Sequence, residues 1–165
     1  MNVKARKRTP PPLNKRRAAR FAAVQALYQA DNGDQTIGRV VAEFKAHRLP
    51  GILEPLGADL PPVRVDAEWF AAVAEGVDRH LPVIDARIEA SLSSGWTVAR
   101  LDEVLRAVLR AGAFELMERI DVPVRVVINE YIEVAKLFFE GEEAGFVNAV
   151  LDRLAPVLRS GDKAL

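Results

Sequence analysis

Cysteine is absent from the chain. Disulfides, thiolate metal sites and a cysteine nucleophile are therefore excluded by composition alone. Histidine is nearly absent: His47 and His80 are the only two. Neither has a second histidine one helical turn away with which to share a metal, so both are read as surface or helix-end residues. No apolar run approaches the roughly 20 residues a membrane-spanning helix needs. The N-terminus is charged and proline-containing where a signal peptide would be apolar, so a cytoplasmic location is expected. No glycine-rich loop is suited to cradling a phosphate, because Gly141 and Gly145 flank glutamates that repel it. Ser91, Ser93 and Ser94 have no flanking base that would activate a nucleophile. Strand alternation and internal repeats are also missing. The sequence thus predicts no metal, no cofactor and no enzyme.

What the chain does have is helix-forming material and an uneven charge. Half of its 165 residues are hydrophobic, enough for one sizeable core, and alanine, leucine, valine, glutamate and arginine favour helix. The net charge of zero conceals an asymmetry: residues 1–20 hold eight cations and no acid, and the remainder holds fifteen cations against twenty-three acids. A basic leading segment on an acidic body suggests two partners of different charge, one of them a polyanion.

Residues 1–13, basic and then prolyl at Pro10, Pro11 and Pro12, are expected to form a flexible arm. Asn14 is a natural cap for a helix from Lys15 to about Ala30, whose stripe of Ala19, Ala23, Ala26, Leu27 and Ala30 faces inward. Thr36 caps a short helix. Residues 49–65, broken by Pro50, Gly51, Pro55, Gly57, Pro61 and Pro62, form a loop. Asp66 caps a helix through Arg79, and another runs from Leu81 to Ser93. A long amphipathic segment then spans Val98 to Arg119, with Gly112 inside it at a close helix crossing.

The C-terminal third carries the clearest helical period. Val127, Tyr131, Val134, Ala135 and Phe138 recur at spacings of four, three, one and three, and Phe146, Val147, Val150, Leu151 and Leu154 do likewise. Pro123 suits the start of the first of these helices, Gly141 stops it, and Glu142 and Glu143 favour the positive end of the next. A helix hairpin is predicted. Asn129, Glu130 and Asn148, polar in otherwise apolar helices, are expected to clasp the two together.

These same residues resemble the C-terminal signature of the NusB family, roughly V-A-I-N-E-x-[IV]-E-[LV]-A-K followed by F-V-N-G-V-L-D. The likeness is carried by Ile128, Asn129, Glu130, Glu133, Ala135 and Lys136, and by Phe146, Val147, Asn148, Val150, Leu151 and Asp152. Ala149 stands where the family usually has glycine. The opening, Arg16, Arg17, Ala19, Arg20 and then Ala23 to Tyr28, is similar to the family's first helix. Arg106, Leu109, Arg110, Phe114, Glu115 and Leu116 resemble its fifth. The resemblance runs from Arg16 to Val157. It implies an all-α fold of two packed three-helix subdomains, about seven helices in total, divided near residues 14–80 and 81–160 of a domain covering 14–165.

The implied function is that of a bacterial transcription antitermination factor. Such a factor binds single-stranded boxA-type RNA of ribosomal RNA operons together with a small-subunit ribosomal protein acting as NusE. The pair joins the RNA polymerase elongation complex with other Nus factors. Pairing with a second copy when free is left open. Two alternatives are a stand-alone RNA-binding module related to the N-terminal domain of rRNA cytosine methyltransferases and a protein-only scaffold.

The RNA-binding residues expected are Lys15, Arg16, Arg17 and Arg20, whose cations track phosphates, Tyr28, whose ring can stack a splayed base, and Glu142 and Phe146. On the residues alone, a solvated basic face is the other reading of the arginines, and core packing the other reading of Phe146. Leu105, Arg106 and Arg110 are candidates for the protein partner, with the RNA or an internal carboxylate as the other destinations for the two arginines.

Overall fold

A computed structural model describes residues 14–57 and 63–159. The basic arm expected at 1–13 and part of the proline-broken loop lie outside the described residues. Seven α-helices follow in order: α1 (Lys15–Asn32), α2 (Ile37–Glu43), α3 (Ala67–Arg79), α4 (Leu81–Ala90), α5 (Glu103–Glu118), α6 (Val124–Phe138) and α7 (Glu143–Leu158). No strand occurs among the described residues.

Side-chain caps set the helix starts. Asn14 accepts a hydrogen bond from the Arg17 amide at 2.7 Å, Thr36 from Arg39 at 3.3 Å and Asp66 from Trp69 at 3.0 Å. Each meets an amide that has no partner within its helix. Asp102 does the same for α5, accepting from Val104 and Leu105 at 2.9 and 3.0 Å. That cap shortens the long segment expected from Val98: residues Val98–Arg100 form a separate 3-10 turn, Leu101 is extended, and α5 begins after Asp102. Beyond α2 the chain tightens into a π-helical turn, Phe44–Arg48, and two 3-10 turns, Leu49–Gly51 and Glu54–Leu56.

α5 is the axis of the molecule, touching α1, α3, α4, α6 and α7. α1, α2 and α3 pack on one another, as do α5, α6 and α7 with α4 beside them. The two groups meet where α1 and α3 cross α5 and where α1 meets α6. Phe21 stacks on Phe138 at 5.0 Å across that junction, and one continuous hydrophobic core serves both groups. Gly112 sits at a close crossing as expected: a Cβ there would lie 3.0 Å from Leu151 Cδ1. Gly76 is tighter still, with its would-be Cβ only 2.2 Å from the Phe114 ring. The C-terminal end of α5 is closed by the buried Arg159 guanidinium, which donates to the carbonyls of Leu116 and Arg119, both at 2.7 Å, and of Glu115 and Val122.

Candidate nucleic-acid interface

The basic start of α1 divides into outward and inward arginines. Lys15 is exposed. Arg16 keeps 48% of its side chain exposed, and its guanidinium lies 3.9 Å over the Trp69 ring. Arg119 covers the same ring at 4.2 Å and pairs with Asp121 at 2.9 Å. The Arg119 hydrogen bonds hold the Asp121 carboxyl below its ordinary pKa.

Arg17 and Arg20 turn inward instead. Arg17 is bidentate to Glu130, at 2.6 and 3.3 Å. Arg20 is only 3% exposed. It is bidentate to Glu115, at 2.7 and 2.9 Å, and reaches Glu130 at 3.1 Å. Burial opposes the Arg20 charge, but the hydrogen bonds and charge of Glu115 outweigh it, so its pKa stands above the usual arginine value. The structure thus turns Arg20 inward, away from the surface where the sequence placed it: it is buried, and three of its five N–H groups are held by Glu115 and Glu130.

Glu115, fully buried, is the hub of this network. Besides Arg20 it accepts hydrogen bonds from the Trp69 indole at 3.4 Å and from the Tyr131 hydroxyl. Burial, then the Glu115 charge, push the Tyr131 phenol well above its ordinary pKa. Glu130 thus ties α6 to α1, where a clasp between α6 and α7 was expected. Asn129 is exposed, and Asn148 Oδ1 is buried without a hydrogen-bond partner.

Arg106 and Arg110 also find internal carboxylates. Arg106 donates to Asp31 at 2.7 and 3.1 Å and to the Val98 carbonyl at 3.2 Å. Arg110 is bidentate to Asp85, both bonds 2.8 Å. Their forks bind α5 to α1 and α4, so of the destinations the sequence left open for these two arginines the internal carboxylate is the one the structure shows.

Arg20 meets α5 near its end and Asp31 meets it near its start, so α1 and α5 run antiparallel. A helix of 16 residues is about 24 Å long. The basic start of α1 and the start of α5 are therefore at opposite ends of the molecule. Tyr28, toward the second end, lines a shallow polar hollow with Gln25, Gln29 and Arg48. The Gln25 side-chain amide there is buried without a hydrogen-bond partner.

At the start of α5 lies a cleft of about 480 Å³. Its walls are the α4–α5 connection, the first turn of α5, the α6–α7 turn and the first half of α7. Phe146, half-buried, and Glu142 line it together with Leu105. Three of the residues singled out in the sequence are thus brought to one place from two helices. Phe146 packs on the core and also lines the cleft.

Sequence reasoning missed Trp96, Arg100 and Arg153, which line the same cleft. The available signal was a tryptophan in a serine–glycine loop with an arginine four residues on. No group of three or more histidine or carboxylate side chains that could hold a metal occurs among the described residues. None of the described helices is long and apolar enough to cross a membrane.

Among the described residues, seven helices around one core, with an open cleft lined by aromatic rings, guanidinium groups and carboxylates, define a small all-α protein. The family model described as NusB family matches residues 17–156. The chain belongs to the NusB family. It is 50% identical over 146 residues to transcription antitermination protein NusB of Sinorhizobium fredii, covering 88% of this chain and 89% of that protein. It is 45% identical to the Rhizobium leguminosarum bv. trifolii protein of the same name, over 99% of both chains. Among solved structures, T. maritima NusB matches at 31% identity with a TM-score of 0.65, covering 90% of this chain and 92% of that one. A chain from a structure of antitermination factors NusB and NusE in complex with dsRNA matches at 26% identity and TM-score 0.67, covering 87% of this chain and 97% of that one.

Proposed function

We propose that this protein is a bacterial transcription antitermination factor. It binds single-stranded boxA-type RNA of ribosomal RNA operons together with a small-subunit ribosomal protein acting as NusE, and so supports processive transcription by the RNA polymerase elongation complex. It works in the cytoplasm and without catalysis. Its relatives' shared name supports the role, and the structure of NusB and NusE in complex with dsRNA supports NusE and RNA as partners. The observation that carries the reading is the cleft at the start of α5, where Phe146 offers an aromatic face beside the Glu142 carboxylate. An aromatic can stack an unpaired base, and a carboxylate can accept from its amino groups.

Lys15 and Arg16, exposed at the other end of α1, supply phosphate contacts through counterion release, and Tyr28 flanks the path between them and the cleft. Arg17 and Arg20 serve by holding α1 against α5 and α6. The acidic remainder of the chain offers a complementary face to a basic ribosomal protein, which favours encounter and orientation.

The test is a gel-shift titration on boxA-type RNA, with and without the ribosomal partner, over a salt series. With Lys15 and Arg16 on phosphates, log affinity falls against log salt with a slope of about −1.4 or steeper. No shift with the partner present, or a salt-independent affinity, refutes the reading.

A further inference from the structure

We propose that Trp96 and Arg100 form the second wall of the RNA cleft, Trp96 stacking a ribonucleotide base opposite Phe146 and Arg100 taking the adjoining phosphate. The inference rests on the RNA-binding reading above and assigns residues that the sequence comparison with the family did not single out. Trp96 is 48% exposed, a large apolar surface left in water at the rim of a cleft. Its loop is nonetheless held in place. Gly95 turns at φ 89°, the Trp96 amide donates to the Ser93 carbonyl at 3.0 Å, and buried Val98 and Leu101 anchor the far side to the core. Arg100 donates to the Gly95 carbonyl at 3.0 Å, which swings its guanidinium back over the indole, 4.9 Å from the ring centroid. The aromatic face is thus presented by a fixed scaffold, and little ordering remains to be done on binding.

The chemistry around it selects the occupant. Phe146 lines the same cleft from α7, Arg153 adds a second exposed cation, and Glu142 stands at the α6–α7 turn. Of the other acids there, Asp102 is turned to the Val104 and Leu105 amides, and the Glu143 carboxylate lies against Gly141. The lining thus holds two aromatic rings, two guanidinium groups and three carboxylates, of which Asp102 Oδ1 is taken by the α5 cap and Glu143 Oε1 is buried. A single-stranded ribonucleotide matches all three with its planar base, its phosphate and its amino donors. The volume of about 480 Å³ falls in the range of clefts that take a small-molecule-sized group.

The chain has two tryptophans, and Trp69 is buried, so acrylamide quenching of indole fluorescence reports on Trp96. In the full-length protein, a labelled single-stranded boxA-type RNA is followed by polarisation while Trp96 is followed by quenching. The expected result is that RNA shields Trp96 from acrylamide. Trp96→Ala weakens RNA binding about 5- to 150-fold, the span of base–aromatic stacking, and Trp96→Phe keeps most of the affinity. Arg100→Ala lowers the steepness of the salt dependence by about 0.7, one phosphate contact. RNA that binds while Trp96 stays fully quenchable, with Trp96→Ala at wild-type affinity, overturns the assignment and leaves the RNA-binding reading standing. Shielding by the ribosomal partner alone, and not by RNA, overturns it in favour of a protein contact. No RNA binding by the wild-type protein, even with the partner, overturns both.

Discussion

Replacing Arg20 by alanine should unfold this protein more readily than any change at its basic surface. Arg20 is 3% exposed and Glu115 is fully buried, and the two share bonds of 2.7 and 2.9 Å. Deleting the guanidinium leaves the Glu115 carboxylate in the core with only the Tyr131 hydroxyl and the Trp69 indole to meet it, and removes the Glu130 contact as well. Breaking a buried ion pair from one side costs about 3–5 kcal/mol, chiefly the penalty of an uncompensated interior charge. For a chain of this size about 2–4 °C of Tm follows each kcal/mol, so the melting point should fall by about 6–20 °C. Arg16→Ala provides the contrast. Its guanidinium stacks on Trp69 and stands 3.9 Å from the Asp66 carboxylate at the surface, and the loss should stay within about 1 kcal/mol. Arg20→Met combined with Glu115→Gln should recover part of the stability, because no charge is then left buried. Urea and thermal denaturation followed by circular dichroism at 222 nm give all three values. A loss below about 1 kcal/mol for Arg20→Ala, or a value equal to that of Arg16→Ala, would refute the claim that this pair is an interior support and return Arg20 to the RNA-binding candidates.

Phe146→Ala should weaken RNA binding by about 1–3 kcal/mol if its exposed edge stacks a base; a drop in Tm with unchanged polarisation titrations would confine the ring to packing. Gly76→Ala should destabilise by about 1–3 kcal/mol despite alanine's better helix propensity, since a Cβ placed 2.2 Å from the Phe114 ring forces overpacking; a stabilised variant in urea melts would show that the crossing has room. Tyr131 is held protonated above its unfolded pKa, so its contribution is complete below about pH 10 and is lost as pH rises beyond that point, where the unfolded chain ionises first. Stability measured from pH 9 to 11 should therefore fall more steeply for wild type than for Tyr131→Phe, and parallel curves would contradict this.

Much of the fold could be read from local chemistry. Asn14, Thr36 and Asp66 mark their helix starts because a cap is a contact within one turn, visible in a few consecutive residues. The α6–α7 hairpin was legible for the same reason, as two periodic stripes separated by a glycine and acids. The start of α5 was placed several residues early, because the apolar period ran on through Leu101 while Asp102, the residue that caps the helix, was passed over. The burial of Arg20 was less legible. The sequence suggests a single inward stripe for α1, yet residues 18–24 are buried all round, because α1 lies between α3, α5 and α6. An alanine-rich run with apolar residues on every face is the mark of such a helix, and an arginine inside it calls for an acid from elsewhere. The sequence holds that acid in the equally apolar run around Glu115, but nothing local joins the two across a separation of 95 residues.

By itself, then, the order of residues determined an all-helical chain without thiol chemistry, its capped helix starts, its closing hairpin and, through its motifs, its kinship. Those are matters of composition and of neighbours a few positions apart. Tertiary structure decided which arginines are available. It sent Arg17, Arg20, Arg106 and Arg110 to carboxylates on other helices and left Arg16, Arg100 and Arg153 facing outward, and it assembled Leu105, Glu142, Phe146 and Trp96 around one cleft. Whether a charge meets solvent or a partner depends on what a distant segment places beside it, and only the packed helices supply that.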